Sequence, residues 1–216
     1  MITEKEQLKQ QNMIRFIEAT QELIDTNGLE KVSIRKIADK AGFHNSTIYL
    51  YFHDVNQLIL LASLKHFAEY SKALSELSTK NLTPSERFIY IWQFFADTVF
   101  QKSQIFYNFF FGKHSGDLSV IMKQYYELFP EEKPQYSKEI EEMYYGKNIH
   151  ERCLQILTPI VAEENRLTGE NLNMVNDITV SYLKSLLEQK CQNPELDSDI
   201  LKDKLIQSLR FIIDLK

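Results

Sequence analysis

Apolar residues recur along this chain at intervals of three and four, and nowhere do they alternate with polar ones as a half-buried strand requires. The pattern predicts helices throughout. The first runs over 6–27, with Met13, Ile14, Ile17, Leu23 and Ile24 as its apolar stripe and Asn27-Gly28 as its end. Ser33 then caps a short helix whose inner face is Ile34, Ile37 and Ala38. Ala41-Gly42 ends it, because glycine tolerates the left-handed backbone of a tight turn. A second short helix is expected over 44–51, with Ile48 and either Tyr51 or Phe52 pointing inward. Asn45, Ser46, Thr47 and Tyr49 are left on the outside, each able to form hydrogen bonds. Asp54 and Gln57 have the spacing of a capping box for a long helix over 54–78, along which Leu58, Leu61, Ala62 and Leu64 repeat.

Asn81-Leu82-Thr83-Pro84 breaks the chain, and Thr83, Pro84 and Glu86 fit the start of a new helix. Residues 86–129 crowd fourteen aromatic side chains around a turn at 112–117. A loop at 130–134 precedes a long helix over 137–167, with kinks expected near Gly146 and Pro159. Two more helices follow, over 171–192 and 197–215, hinged at Asn193-Pro194. The fold class is all-α, with limits at 1–53, 54–80 and 81–216.

A short apolar helix, a glycine turn and a short helix with a polar outer face make a helix-turn-helix, which lays its second helix in the major groove. The run Ser33-x-Arg35-x-Ile37-Ala38-x-x-Ala41-Gly42-Phe43, then Thr47-Ile48-Tyr49-x-Tyr51-Phe52 and Leu58, resembles the DNA-binding domain of the tetracycline-repressor (TetR/AcrR) family. The resemblance covers roughly residues 10–65. Two positions depart from it. His44 stands where the family often has a capping serine, and Val55 where it often has a phosphate-contacting lysine. The resemblance implies a three-helix DNA-binding domain, a linking helix over 54–80 and a C-terminal effector-binding and dimerisation domain.

Charge agrees with a single nucleic-acid surface. The net charge is −5, yet between Lys31 and His53 the side chains Lys31, Arg35, Lys36 and Lys40 outweigh Asp39 to give +3. Cys153 and Cys191 form neither a disulfide framework nor a metal motif, which fits a reducing cytoplasm. The N-terminal residues lack the pattern of a signal peptide, and no apolar run approaches the ~18 residues of a membrane span. Enzyme signatures fail as well. No His has Glu three residues before it, as a di-iron bundle needs, and there is no His-Glu-x-x-His zinc helix. Gly112-Lys113-His114-Ser115 lacks the earlier glycine of a phosphate loop, and Ser115 is one place late for a nucleophile elbow. No cofactor or metal is implied.

The expected function is a ligand-responsive transcriptional repressor, a cytoplasmic homodimer bound to a palindromic operator. The other readings are an activator of the same fold, or a ligand- or partner-binding helical protein with weakened DNA binding. On DNA the expected contacts are Ser33, Arg35, Lys36, His44, Asn45, Ser46, Thr47 and Tyr49, with Asn45 suited to an adenine edge. Tyr49 packed on the first helix is the alternative. The expected effector cavity is lined by Trp92, Phe95, Phe106, Phe110, Tyr125 and Tyr126, with His114 or Lys113 as a polar anchor. The expected dimer seam is Tyr182, Leu186, Leu205 and Leu209, closing a four-helix bundle across a two-fold axis.

Overall fold

The computed structural model describes residues 3–163 and 166–213. Among them every regular element is helical. The α-helices are α1 (Glu4–Asn27), α2 (Ile34–Ala41), α3 (Val55–Ser63), α4 (Ala68–Leu77), α5 (Pro84–Gln101), α6 (Ser103–Phe111), α7 (Leu118–Leu128), α8 (Lys138–Tyr144), α9 (Ile149–Leu157), α10 (Leu172–Gln192) and α11 (Ser198–Ile213). Residues 164–165 of the expected long helix and 214–215 of the last helix lie outside the described residues.

The caps explain where helices begin. Thr3 and Glu6 form a reciprocal capping box, which starts α1 two residues before the expected position. Thr83 and Glu86 do the same for α5, with Pro84 in its first turn. At α3 the box is shifted by one residue. Asp54 accepts from the Gln57 N–H at 2.9 Å, but the Gln57 side chain accepts from the His53 N–H.

Three expected helices differ from those observed. The second short helix of the turn motif is a 3-10 helix, Asn45–Leu50, between the glycine turn and Tyr51. The single helix expected over 54–78 is α3 and α4, separated by a 3-10 turn over Leu64–Phe67. Ser63 bonds back to the Ile59 carbonyl there, and three residues per turn put Leu64 and Phe67 on one side, both buried. The long helix over 137–167 is α8, α9 and a 3-10 helix at Thr158–Ala162. The kink at Gly146 is a break, because Asn148 caps α9 afresh by accepting from the Glu151 N–H at 2.9 Å. Pro159 falls in the 3-10 segment rather than in a bent α-helix.

The chain divides into two compact units. One comprises Met1–His66 with Val120–Lys133, the other Phe67–Ser119 with Pro134–Lys216. In the first, α1 packs on α2 and α3 around Phe16, Ile17, Ile37, Ile48 and Leu58, all fully buried. In the second, α5 packs on α11, and α10 packs on α6, α9 and α11. Its core is aromatic: the Phe67 ring lies 4.9 Å from Phe106 and 4.7 Å from Phe109. No helix among the described residues is long and apolar enough to cross a membrane.

Candidate functional site

The turn motif is built by α2 and the segment after it. Ser33 accepts from the Lys36 N–H at 3.4 Å and opens α2. Gly42, at φ 78° and ψ 34°, closes it in the left-handed region, with its N–H directed to the Ala38 and Asp39 carbonyls. The Phe43 N–H reaches the Ala38 carbonyl at 2.9 Å, completing the wrap-around end. Phe43 then anchors the turn, its ring stacked 4.7 Å from Phe16, and the Arg15 guanidinium lies 5.0 Å from its centroid.

His44 supplies the cap that its residue type left in doubt. Its Nδ1 accepts from the Ser46 N–H at 3.4 Å and meets the Ser46 hydroxyl at 2.9 Å. Below it, Ile48 and Phe52 are buried, and Asn12 donates to the Tyr51 hydroxyl at 2.9 Å. Phe52 is thus the fully inward residue, while Tyr51 is half-buried and tied to α1.

What remains outside is a compact tip. Asn45 and Ser46 are exposed, Thr47 is half-buried, and Tyr49 stands 57% exposed rather than packed on α1. Leu50 is 73% exposed beside it, an apolar contact that the polar pattern of the sequence did not single out. The cations are partly engaged. Arg35 lies 3.8 Å from Asp39, Lys40 pairs with Glu22, and the Lys36 ammonium donates to the Lys31 carbonyl at 2.9 Å. The Arg35 pair is so exposed that it contributes little and leaves the guanidinium available.

A second candidate site lies inside the C-terminal unit. A small cavity is bounded by Tyr70, Trp92, Phe95, Met143, Arg152 and Cys153, with isoleucines completing the wall. Its open space is about 20 Å³, room for about one water. Arg152 is only 2% exposed, and its guanidinium lies 5.2 Å over the Tyr144 ring and 5.5 Å over Phe110. Tyr144 is held by a 2.9 Å hydrogen bond between its hydroxyl and Ser71. Burial pushes the Tyr70 phenol up to about 12, a rise that the charge and hydrogen bond of Arg152 partly oppose. Burial likewise raises the Cys153 thiol. The Trp92 indole N–H is buried and has no acceptor among the described residues.

Of the expected lining residues, the cavity brings together Trp92 and Phe95. Phe106 and Phe110 belong to the ring cluster around Phe67. Tyr125 and Tyr126 belong to the N-terminal unit, where the Tyr125 hydroxyl donates to Glu132 at 2.7 Å. His114 and Lys113 lie in the turn before α7, and neither lines the cavity. Tyr70, Arg152 and Cys153 were not expected there. An arginine or a tyrosine at helical spacing reads as surface or core, and only Gly146 ahead of Arg152 hinted at a close approach.

Three of the four residues of the expected dimer seam are buried within one chain. Leu186, Leu205 and Leu209 are at most 1% exposed within one chain, so they form this unit's own core. Only Tyr182 of the four keeps partial exposure. The apolar residues that α10 and α11 leave open are Met174, Ile178, Ile200 and Phe211. Among the described residues no group of His, Cys, Asp and Glu could hold a metal ion.

The N-terminal geometry is that of a helix-turn-helix, and residues 16–62 match the sequence family described as bacterial regulatory proteins, tetR family. No curated protein matches the chain. Three solved structures share its fold at low identity. The FadR transcriptional repressor of Thermus thermophilus, complexed with lauroyl-CoA, is 14% identical with a TM-score of 0.61, over 94% of this chain and 96% of its own. RolR in complex with resorcinol is 18% identical with a TM-score of 0.60, over 97% and 96%. The regulator FadR from Bacillus subtilis, complexed with stearoyl-CoA, is 15% identical with a TM-score of 0.56, over 91% and 96%. These likenesses show the fold of the whole chain, and the family match itself covers residues 16–62.

Proposed function

We propose that this regulator is a repressor that binds a palindromic operator as a homodimer and leaves it when a small hydrophobic molecule enters the C-terminal unit. The observation that carries the reading is the exposed tip, with Tyr49 and Leu50 standing outward beside Asn45, Ser46 and Thr47. Nothing in the packing of the N-terminal unit needs those side chains outside, whereas a major groove does. Thr47 and Tyr49 act on phosphate, Asn45 on a base edge, and Ser33, Arg35 and Lys36 add contacts from the start of α2. His44 acts through the cap it gives Ser46.

The fold relatives crystallised with acyl-CoA or resorcinol support an apolar effector. An effector that binds better to the state with wrongly spaced reading elements draws the population off DNA. The two-fold contact rests on the open apolar residues of α10 and α11 rather than on the buried leucines.

The test is a mobility shift with DNA from upstream of the protein's own coding region. Binding should fall on Thr47→Ala and on Tyr49→Phe, with a reduced salt slope. Unchanged affinity and slope in both variants would reject this interface.

A further inference from the structure

We infer, on the DNA-binding reading above, that Leu50 reads the 5-methyl group of a thymine in the operator. Leu50 ends the 3-10 segment Asn45–Leu50 and is 73% exposed. The segment has an inward side, where Ile48 is fully buried, and Leu50 is not on it. Three residues per turn set Leu50 in line with Thr47 and a third of a turn away from Ile48. Tyr49 stands beside it, 57% exposed. The rest of the surroundings are polar or cationic. Asn45 and Ser46 are exposed on the same segment, and the Arg35 side chain is 83% exposed in the first turn of α2. The stretch from Lys31 to His53 carries a charge of +3.

That setting selects the occupant. A protein partner of standard size covers about 800 Å² of each surface and packs around an apolar centre. Between Gly28 and His66 the exposed large apolar side chains are Tyr49 and Leu50, too few to make such a centre. A DNA duplex fits better. Its phosphates answer the local positive charge, and the C5-methyl of thymine is the apolar group its major groove presents. A leucine held against a guanine, adenine or cytosine edge desolvates donors and acceptors without pairing them. Against the thymine methyl it buries apolar surface on both sides. Leu50 therefore discriminates in both directions. The hydroxyls of Thr47 and Tyr49, acting on phosphate, hold the register without reading sequence.

The probe is DNA from upstream of the protein's own coding region, trimmed to the shortest duplex that the full-length protein binds. Its thymines are replaced one at a time by deoxyuridine, which removes the methyl and nothing else. One thymine, or that thymine and its two-fold mate, should lose about three- to fivefold in affinity per position, the worth of one buried methyl. Leu50→Ala should bind the unmodified duplex more weakly and show no further loss at that uracil, the non-additivity of two groups in contact. Its thermal unfolding should match the parent's, since the position is exposed. If alanine binds too weakly to measure, Leu50→Val serves, and its loss at that uracil should be smaller than the parent's. Uracil tolerated at every position, or a loss that persists in full in the Leu50 variants, would overturn the assignment. DNA binding that Thr47→Ala and Tyr49→Phe weaken and no uracil affects would leave the DNA-binding reading standing and refute the thymine contact alone. A parent protein that binds none of this DNA would reject both.

Discussion

A side chain on Gly146 would place its first carbon 2.6 Å from the Cγ of Arg152. Backbone atoms of Arg152 follow at 3.1 and 3.2 Å, so there is no direction in which the clash relaxes cheaply. Gly146→Ala is therefore expected to destabilise the protein by about 1–3 kcal/mol, as overpacking does. Thermal unfolding should show a loss of several degrees, given about 2–4 °C per kcal/mol for a chain of this size. Gly116, where an added carbon meets nothing within 4 Å, is the control, and its alanine variant should be within about 0.5 kcal/mol of the parent.

His44→Ala removes the side-chain acceptor at the start of the 3-10 segment that carries the exposed tip proposed to meet DNA. The expected cost is about 1 kcal/mol, with His44→Ser recovering most of it because a hydroxyl caps equally well. Denaturant unfolding measures the stability, and a mobility shift should follow it in rank. A serine variant no better than alanine would mean that His44 acts some other way.

Alkaline pH should loosen the C-terminal unit. Tyr70 titrates near 12 when folded against an ordinary value of 10.0, so the unfolded chain loses that proton first. A raised acid favours the folded state fully below pH 10, and that contribution is lost as pH rises through 12. Tyr145, also pushed up to about 12 by burial, and Cys153 act in the same sense. Stability measured by denaturant from pH 9 upward should decline, and Tyr70→Phe should make the decline shallower.

The buried and the exposed apolar residues on the last helices should separate folding from assembly. Leu186→Glu buries a charge in a position 1% exposed and should unfold the C-terminal unit. Ile178→Glu with Phe211→Glu alters positions 46% and 73% exposed, so the chain should fold normally. Sedimentation should then show loss of the dimer and a matching loss of operator binding. A double variant that still sediments as a dimer would place the two-fold contact elsewhere.

The turn motif was legible in the sequence because its signals are local. A capping serine, a glycine at the turn and an apolar residue every third or fourth place each act within a few residues, and Ser33, Gly42 and Ile48 stand as they were read. His44 misled because residue type alone does not reveal that an imidazole nitrogen can take the place of a hydroxyl. The long helices over 54–78 and 137–167 misled for another reason. Their periodicity continues across Leu64–Phe67 and Gly146, while back-bonding by Ser63 and a new cap at Asn148 end them. The cavity was the least legible part. Aromatic density marked a region but did not distinguish Trp92 and Phe95, which bound open space, from Phe106 and Phe110, which fill a core. Leu186 and Leu209 show the same limit, since a stripe does not say which body it packs on.

The N-terminal unit is not one continuous stretch of chain. Val120–Lys133 belongs to it, Gln124 accepts from the Gln57 amide at 3.1 Å, and Ile121, Met122, Tyr125 and Tyr126 are buried. A gene cut once after the DNA-reading motif would therefore leave part of that unit's own interior behind. Two regulators that exchanged halves at such a point would each inherit a reading unit sewn with another's thread. For this chain the unit of exchange is two segments moved together, and residues 120–133 must travel with Met1–His66 rather than with the C-terminal unit.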